Sequence, residues 1–393
     1  MPLKLVQLPR ISRLAGSGPL AASARLLFVG LALVLGACSS KPTYEKAELR
    51  PIQTTLGVKQ AWRAELGKAR SALFQPAVVG AAVFSAGDGR VYRLNLENGT
   101  RVWQAEIGKT LSAGVGADSQ IVVVATNKGE VIALDSSTGK EKWRAQASSE
   151  VVQSPVVGYG LVVVRSQDNR IHAFEAQSGK RRWAYQRQTP SLILRVASGL
   201  LLTETAVYAG MPGGRLIALT LNNGSPRWEV AVAFPKGATE LERVADVVGM
   251  PMLQGRAVCA VTYQGRLACF DMATGQQDWG RDFSSNNGLS VDARFVFAAD
   301  DRSILHAFSR NGGASVWRND KLVYRDLTAP LSVGRAVVVG DSEGFVHWLS
   351  REDGAFMARS RADDAPIVVA PVATELGVLI QSQDGRLVAY IFE

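Results

Sequence analysis

The sequence predicts an all-β protein, an eight-bladed β-propeller with four antiparallel strands in each blade. Three observations lead to this prediction. A unit of about forty residues recurs along the chain, each unit contains four short apolar runs separated by Gly, Asn or Asp, and no long amphipathic helical pattern interrupts the units. The last unit is divided between the two ends of the chain, which predicts a ring that the N- and C-terminal strands close.

The repeated unit is clearest between Gly129 and Trp143. Its first part alternates apolar and polar residues around Val131, which is typical of a strand. Residues 135–139 form a polar turn, and residues 140–144 form a second strand that carries the tryptophan. A hairpin of this size cannot bury one face alone, so the pattern predicts that copies of it pack against each other.

The copies align on an opening residue and a tryptophan fourteen positions later. They are Gly89–Trp103, Gly129–Trp143, Asn169–Trp183, Gly214–Trp228, Gly265–Trp279 and Ser303–Trp317. A seventh copy opens at Gly344 but has Ala358 at the tryptophan position. An eighth opens at Gly385 and lacks its last strand, which the segment around Trp62 can supply.

The recurrence of the tryptophan favours a packing role over a ligand-binding role. Neighbouring blades diverge with radius, and an indole fills such a gap while burying roughly 150–250 Å². Because the seventh copy lacks this tryptophan, we expect Trp348, on the neighbouring strand, to fill the volume left at Ala358.

Residues 1–38 have the features of an export signal. Basic residues precede a short apolar run that is too short to span a bilayer, and the run ends in Leu-Gly-Ala-Cys at Cys38. This ending resembles the bacterial lipobox, which implies that Cys38 is lipidated. Ser39 after the cysteine resembles the outer-membrane sorting pattern. Residues 39–59 are interpreted as a flexible tether, with a docked segment as the alternative, and residues 60–393 as the propeller.

The charge of the chain gives little support for nucleic-acid binding. The formal net charge is +9, and residues 1–38 hold four basic residues and no acidic residue, which leaves +5 for the rest. These charges are spread over both signs, whereas a nucleic-acid interface needs a clustered basic stripe. We therefore expect no nucleic-acid partner.

The sequence contains no pattern that is typical of a catalytic or metal site. The three histidines, His172, His306 and His347, occupy equivalent positions in three blades, which a ring keeps apart unless they point into its channel. Cys259 and Cys269 lie on successive strands of one blade, as small buried thiols or as a structural disulfide. We expect no cofactor.

The segment from Ala133 to Trp143 resembles the tryptophan-docking repeat that two families share. One family comprises the dehydrogenases that use pyrroloquinoline quinone (PQQ), which also carry calcium-binding carboxylates and usually an adjacent cysteine pair; this chain has no Cys-Cys. The other is the BamB family, lipoproteins of the machinery that assembles β-barrel proteins into the bacterial outer membrane. The lipobox, the length and the tight repeats resemble the BamB family over nearly the whole chain.

Extra residues fall in two neighbouring units, after Trp183 and after Trp228, and insertions on one face of a repeat ring commonly mark its binding face. In the first insertion, Leu192, Leu194 and Arg195 match BamB residues implicated in contact with BamA, the barrel-inserting subunit. In the second, Asp246 matches the acidic loop of that family. Leucines can supply apolar anchors and arginine a bidentate donor. Arg195 and Asp246 can also pair with each other and brace the loops.

The chain departs from the BamB family in the second insertion, where Val248 stands at the place of an expected second aspartate. The resemblance implies a non-enzymatic scaffold lipoprotein, anchored on the periplasmic side of the outer membrane. Its expected partners are the periplasmic domains of BamA, other subunits of the BAM complex and unfolded outer-membrane proteins. The alternative is a PQQ-dependent dehydrogenase or a cofactor-binding relative.

Overall fold

The computed structural model describes residues 44–69, 73–188, 190, 192–194 and 198–392 of the 393-residue chain. These residues form eight sheets in a ring, and each sheet contains four antiparallel strands that run in order from the ring centre to the outside. The structure therefore confirms the predicted eight-bladed propeller. Among the described residues there is no helix with the length and apolar character needed to cross a membrane.

Two strands precede blade 1, namely β1 (Val58–Glu65) and β2 (Leu73–Phe74). Blades 1 to 4 consist of β3 (Ala77–Val79), β4 (Ala82–Gly87), β5 (Arg90–Asn95) and β6 (Arg101–Glu106); β7 (Leu111–Ala117), β8 (Ile121–Thr126), β9 (Glu130–Asp135) and β10 (Glu141–Gln146); β11 (Val156–Gly158), β12 (Leu161–Arg165), β13 (Ile171–Glu175) and β14 (Arg181–Tyr185); β15 (Leu200–Leu202), β16 (Ala206–Met211), β17 (Arg215–Thr220) and β18 (Pro226–Ala231). Strand β2 adds to blade 2 by parallel pairing with β7.

Blades 5 to 8 repeat this order, and the last of them takes β1 as its outer strand. They consist of β19 (Val247–Gln254), β20 (Ala257–Thr262), β21 (Gly265–Asp271) and β22 (Gln277–Phe283); β23 (Leu289–Val291), β24 (Phe295–Ala299), β25 (Leu305–Ser309) and β26 (Ser315–Asn319); β27 (Leu331–Val333), β28 (Ala336–Gly340), β29 (Phe345–Ser350) and β30 (Phe356–Arg361); β31 (Val372–Ala373), β32 (Val378–Gln381) and β33 (Arg386–Phe392).

The two ends of the chain close the ring as predicted. Strand β1 pairs antiparallel with β33, from Val58 opposite Phe392 to Glu65 opposite Arg386. The propeller begins two residues earlier than the sequence indicated, because Val58 already pairs in this ladder.

Seven tryptophans each join one blade to the next one, at seven of the eight seams of the ring. Each indole nitrogen donates to a backbone carbonyl of the following blade at 2.7–3.1 Å. Each ring also lies so close to a glycine of that blade that an added Cβ would be 2.2–2.8 Å from the indole. The pairs are Trp62 with Gly99, Trp103 with Gly139, Trp143 with Gly179, Trp183 with Gly224, Trp228 with Gly275, Trp279 with Gly313 and Trp317 with Gly354. This geometry confirms the packing role of the tryptophans.

The segment 46–57 packs along blades 6 to 8, so the predicted flexible tether is wrong for this part and the docked alternative holds. The backbone N–H of Ala47 donates to the carbonyl of Val323 at 2.9 Å. Farther along, the guanidinium of Arg359 donates to the carbonyl of Arg50 at 2.9 Å. This segment forms no regular strand, and parts of the ring that are distant in sequence provide hydrogen-bond partners for its backbone groups.

The seam between blades 7 and 8 lacks a tryptophan dock and is filled differently. Trp348, 0% exposed, pairs across the strands with Ala358 and meets Tyr390 edge-on, with ring centroids 5.2 Å apart. Leu56 from the docked N-terminal segment completes this buried cluster. Trp348 therefore occupies the place predicted for it, and the N-terminal segment adds a side chain that the sequence did not reveal.

Cys259 and Cys269 form a disulfide within blade 5. The two cysteines are directly opposite each other in the pairing of β20 with β21, and both are fully buried. Of the two possibilities that the sequence left open, the structure has the cross-strand disulfide.

Candidate partner-binding site

The two insertions are the longest connections between blades. The first loop, residues 186–199, has 14 residues, and the second loop, residues 232–246, has 15. The other six connections have four to eleven residues. Both loops join an outer strand to the next inner strand, so they emerge on the same face of the ring, on either side of blade 4.

Asp246 fastens the two loops together. It ends the second loop, is only 4% exposed, and accepts the backbone N–H of Leu194 in the first loop at 2.6 Å. Its other carboxylate oxygen accepts the backbone N–H of Gly213, in the turn between β16 and β17, at 2.8 Å. Bonds of a carboxylate to backbone N–H groups are charge-assisted and stronger than neutral ones. One buried side chain thus joins both loops to blade 4.

The predicted residues of the first loop have different exposures. Leu192 is 39% exposed. Leu194 is half-buried and packs against the core cluster of blades 5 and 6, which includes Val248 and both cysteines. Arg195 lies outside the described residues. The structure brings Leu194 and Asp246 into contact and leaves Leu192 open to solvent.

The second loop presents two apolar side chains that sequence reasoning did not single out. Phe234 is 65% exposed and Leu241 is 72% exposed. The loop is held by its own bonds, since the carboxylate of Glu242 accepts the backbone N–H of Ala238 at 2.7 Å and that of Thr239 at 3.1 Å. These bonds lower the pKa of Glu242, with Thr239 as the largest cause. The sequence offered one signal for these two residues. They are large and apolar, yet they lie in a charged insertion that lacks the alternating pattern of a strand.

His306 and His347 bond within their own blades, and His172 bonds to the connection that leads into its blade. The Nε2 atom of His347 lies 2.9 Å from Asp341, and its Nδ1 accepts from the Nε of Arg359 at 3.2 Å. His306 lies 3.3 Å from Asp300, and His172 lies 2.9 Å from the hydroxyl of Ser148.

Over the described ranges, no set of three His, Cys, Asp or Glu side chains is placed to hold a metal ion. The three histidines instead make the local contacts with nearby turns and strands that are described above.

The central cavity of the ring has a volume of about 320 Å³. The described residues that line it are apolar or neutral, with Met250, Val368 and Pro371 among the apolar ones and Gln153 and Asn287 among the polar ones. PQQ is a tricarboxylate, and a buried anion of that kind requires cationic partners. The lining supplies none, so these residues do not fit that cofactor.

A ring of tryptophan-docked blades, with a neutral central cavity and two enlarged loops fastened on one face, defines a tryptophan-docking β-propeller. The family model described as "Outer membrane protein assembly factor BamB" matches residues 87–319. A relative of that name from Burkholderia pseudomallei is 42% identical over 362 residues, which cover 91% of this chain and 95% of the relative. The chain belongs to the BamB family.

One solved structure agrees with this assignment. The crystal structure of BamB from Moraxella catarrhalis has a TM-score of 0.79 and 27% identity, and the match covers 86% of this chain and all of that one. The quinohemoprotein alcohol dehydrogenase from Comamonas testosteroni has a TM-score of 0.67 at 14% identity, over 85% of this chain and 76% of that one. That second likeness shows a shared propeller fold alone.

Proposed function

We propose that this chain is a non-enzymatic scaffold lipoprotein of the machinery that assembles outer-membrane β-barrel proteins, and that it binds the periplasmic domains of BamA. Membership of the BamB family supports the assembly role. The observation that carries the proposed site is the bond of the buried Asp246 to the backbone of Leu194, which fixes the loop that presents Leu192. A loop fixed before binding loses less conformational entropy when a partner docks.

The residues of the proposed site have different roles. Leu192, with Leu241 and Phe234 of the second loop, supplies exposed apolar surface that a partner can desolvate. Arg195 supplies a guanidinium for a carboxylate of the partner. Asp246 is too buried for extensive contact with a partner, so it acts by holding the first loop in place.

The proposal includes a lipid anchor at Cys38, after removal of the export signal, and a position on the periplasmic side of the outer membrane. Several acyl chains on one cysteine hold a protein at a membrane far more firmly than a single chain does. The docked segment 46–57 starts at the face that carries both loops, because Ala47 bonds to the connection between blades 6 and 7.

The test is a titration of the full chain, solubilised in detergent, with the periplasmic domains of BamA from the same organism. Leu192→Ala and Arg195→Ala are compared with Val316→Ala, which truncates a similarly exposed apolar residue on the outer strand of blade 6. We expect a loss of about 2 kcal/mol, roughly thirtyfold in Kd, for either loop variant and none for the control. If binding is saturable and neither loop variant weakens it, the BamA-binding site lies elsewhere on the protein. If the wild type does not bind, the proposal that BamA is the partner is refuted.

A further inference from the structure

A buried cation lies beneath both loops. Arg165, at the end of β12, is 3% exposed. One terminal nitrogen of its guanidinium donates to the carbonyls of Ser198 and Gly210, and the other donates to the side-chain oxygen of Asn169. These acceptors belong to the end of the first loop, to strand β16 of blade 4 and to the turn of blade 3. The guanidinium therefore joins three separate elements on the face that carries the loops.

The neighbouring contacts extend this arrangement to the second loop. Ser198 donates through its hydroxyl to the carbonyl of Gly249, and the N–H of Gly199 donates to the same carbonyl at 3.1 Å, so the end of the first loop bonds to the strand that follows the second loop. Burial lowers the pKa of Arg165 to about 10, and the negative charge of Asp246 acts in the opposite direction. Arg165 remains charged at neutral pH and interacts electrostatically with the carboxylate that holds Leu194.

The ring itself does not require an arginine at this position. Arg165 lies four residues before the opening residue of its repeat, on the second strand of the blade. The seven equivalent residues are all uncharged, and they are Ser85, Ala125, Gly210, Val261, Ala299, Gly340 and Gln381. Burying a guanidinium costs several kcal/mol in desolvation before its partners offset that cost. The charged residue occurs in the blade that immediately precedes the first loop.

We propose that Arg165 is a positioning residue that, together with Asp246, holds the two loops in the arrangement that binds the partner. This inference rests on the proposed function for the identity of the partner, but not for the effect on the loops. Without the guanidinium, the carbonyls of Ser198 and Gly210 lose their donor and the carboxylate of Asp246 loses its nearby positive charge. The first loop then samples conformations in which Leu192 and Leu194 are displaced.

The test combines two readouts on the full chain in detergent, the Kd for the periplasmic domains of BamA and the hydrogen–deuterium exchange of peptides across the chain. Arg165→Ala introduces the side chain that blades 2 and 6 carry at this position. Its matched control is Arg325→Ala, which removes an equally buried arginine, 2.7 Å from Asp341, at blades 6 and 7. Arg165→Lys keeps the charge but not the two-directional hydrogen bonding, and serves if the alanine variant does not fold.

We expect both alanine variants to lower the melting temperature, but only Arg165→Ala to weaken BamA binding, by tenfold or more, and to raise exchange in peptides that span residues 190–200. Arg165→Lys should show the same local rise in exchange. Unchanged exchange in these peptides, or an unchanged Kd beside a lower melting temperature, would overturn the positioning role. If the wild type itself does not bind BamA, the proposed partner fails, while the exchange result still decides whether Arg165 holds the loops.

Discussion

The seam between blades 7 and 8 tests how this ring is held together where a tryptophan dock is missing. Trp348 is completely buried there, so Trp348→Ala removes an indole from a packed cluster and leaves a cavity. Such substitutions cost about 3–5 kcal/mol. Unfolding entropy of about 2.1 cal/mol/K per residue gives roughly 0.7 kcal/mol/K for a ring of about 335 residues. The expected fall in Tm is therefore about 4–7 °C.

Comparing the substitutions Trp348→Phe and Trp317→Phe makes the test more specific. Among the described residues, the indole nitrogen of Trp348 has no hydrogen-bond partner, whereas that of Trp317 donates to the carbonyl of Arg351 at 2.9 Å. Trp348→Phe loses volume only, but Trp317→Phe also leaves a carbonyl without its donor, at about 1–3 kcal/mol. We expect Trp348→Phe to be the milder change in urea and thermal unfolding followed by far-UV circular dichroism. A loss below about 1 kcal/mol for Trp348→Ala, or the reverse order of the two phenylalanine variants, would refute the packing argument.

Two further predictions concern charge and anchoring. Burial lowers the pKa of His347, and Arg359 already donates to its Nδ1. The unfolded chain therefore binds a proton below pH about 6.5 that the folded chain does not, so stability falls as the pH drops from there. His347→Gln should reduce the dependence of the melting temperature on pH between pH 6.5 and 5. An unchanged dependence on pH would show that His347 is not responsible for it. Cys38→Ala should leave the membrane fraction after cell lysis; continued partition with membranes would refute the lipid anchor.

The fold could be predicted from sequence because the packing of one blade on the next requires particular residues, which recur from repeat to repeat. The tryptophan recurs because each indole packs on a glycine of the next blade, as Trp103 packs on Gly139. Ring closure could likewise be predicted, since the strand missing after Gly385 has its counterpart at Trp62.

The parts that escaped prediction depend on contacts between residues distant in sequence. The segment 46–57 lacks a strand period because it bonds to Arg325 and Arg359, about three hundred residues away. The disulfide depends on the register that places Cys259 opposite Cys269.

The candidate site could be predicted only in part. The resemblance pointed to Leu192, Leu194 and Asp246, but a carboxylate in a loop gives no sign of whether it faces solvent or backbone N–H groups. Arg165 was missed because an arginine at the end of a strand is usually an exposed residue. Its departure from the uncharged residues of the other seven repeats was the signal that an alignment of the repeats could have given.

The pairing of β1 with β33 has a consequence for how the protein is made. The ribosome delivers β1 first and β33 last, so blade 8 can assemble only when nearly the whole chain has emerged. Until then β1 exposes an unpaired edge, and a product truncated before Arg386 never acquires the strand that covers it. Closure thus acts as a check on the synthesis of β33, because only a chain that includes this strand covers the edge of β1 that chaperones and proteases can recognise.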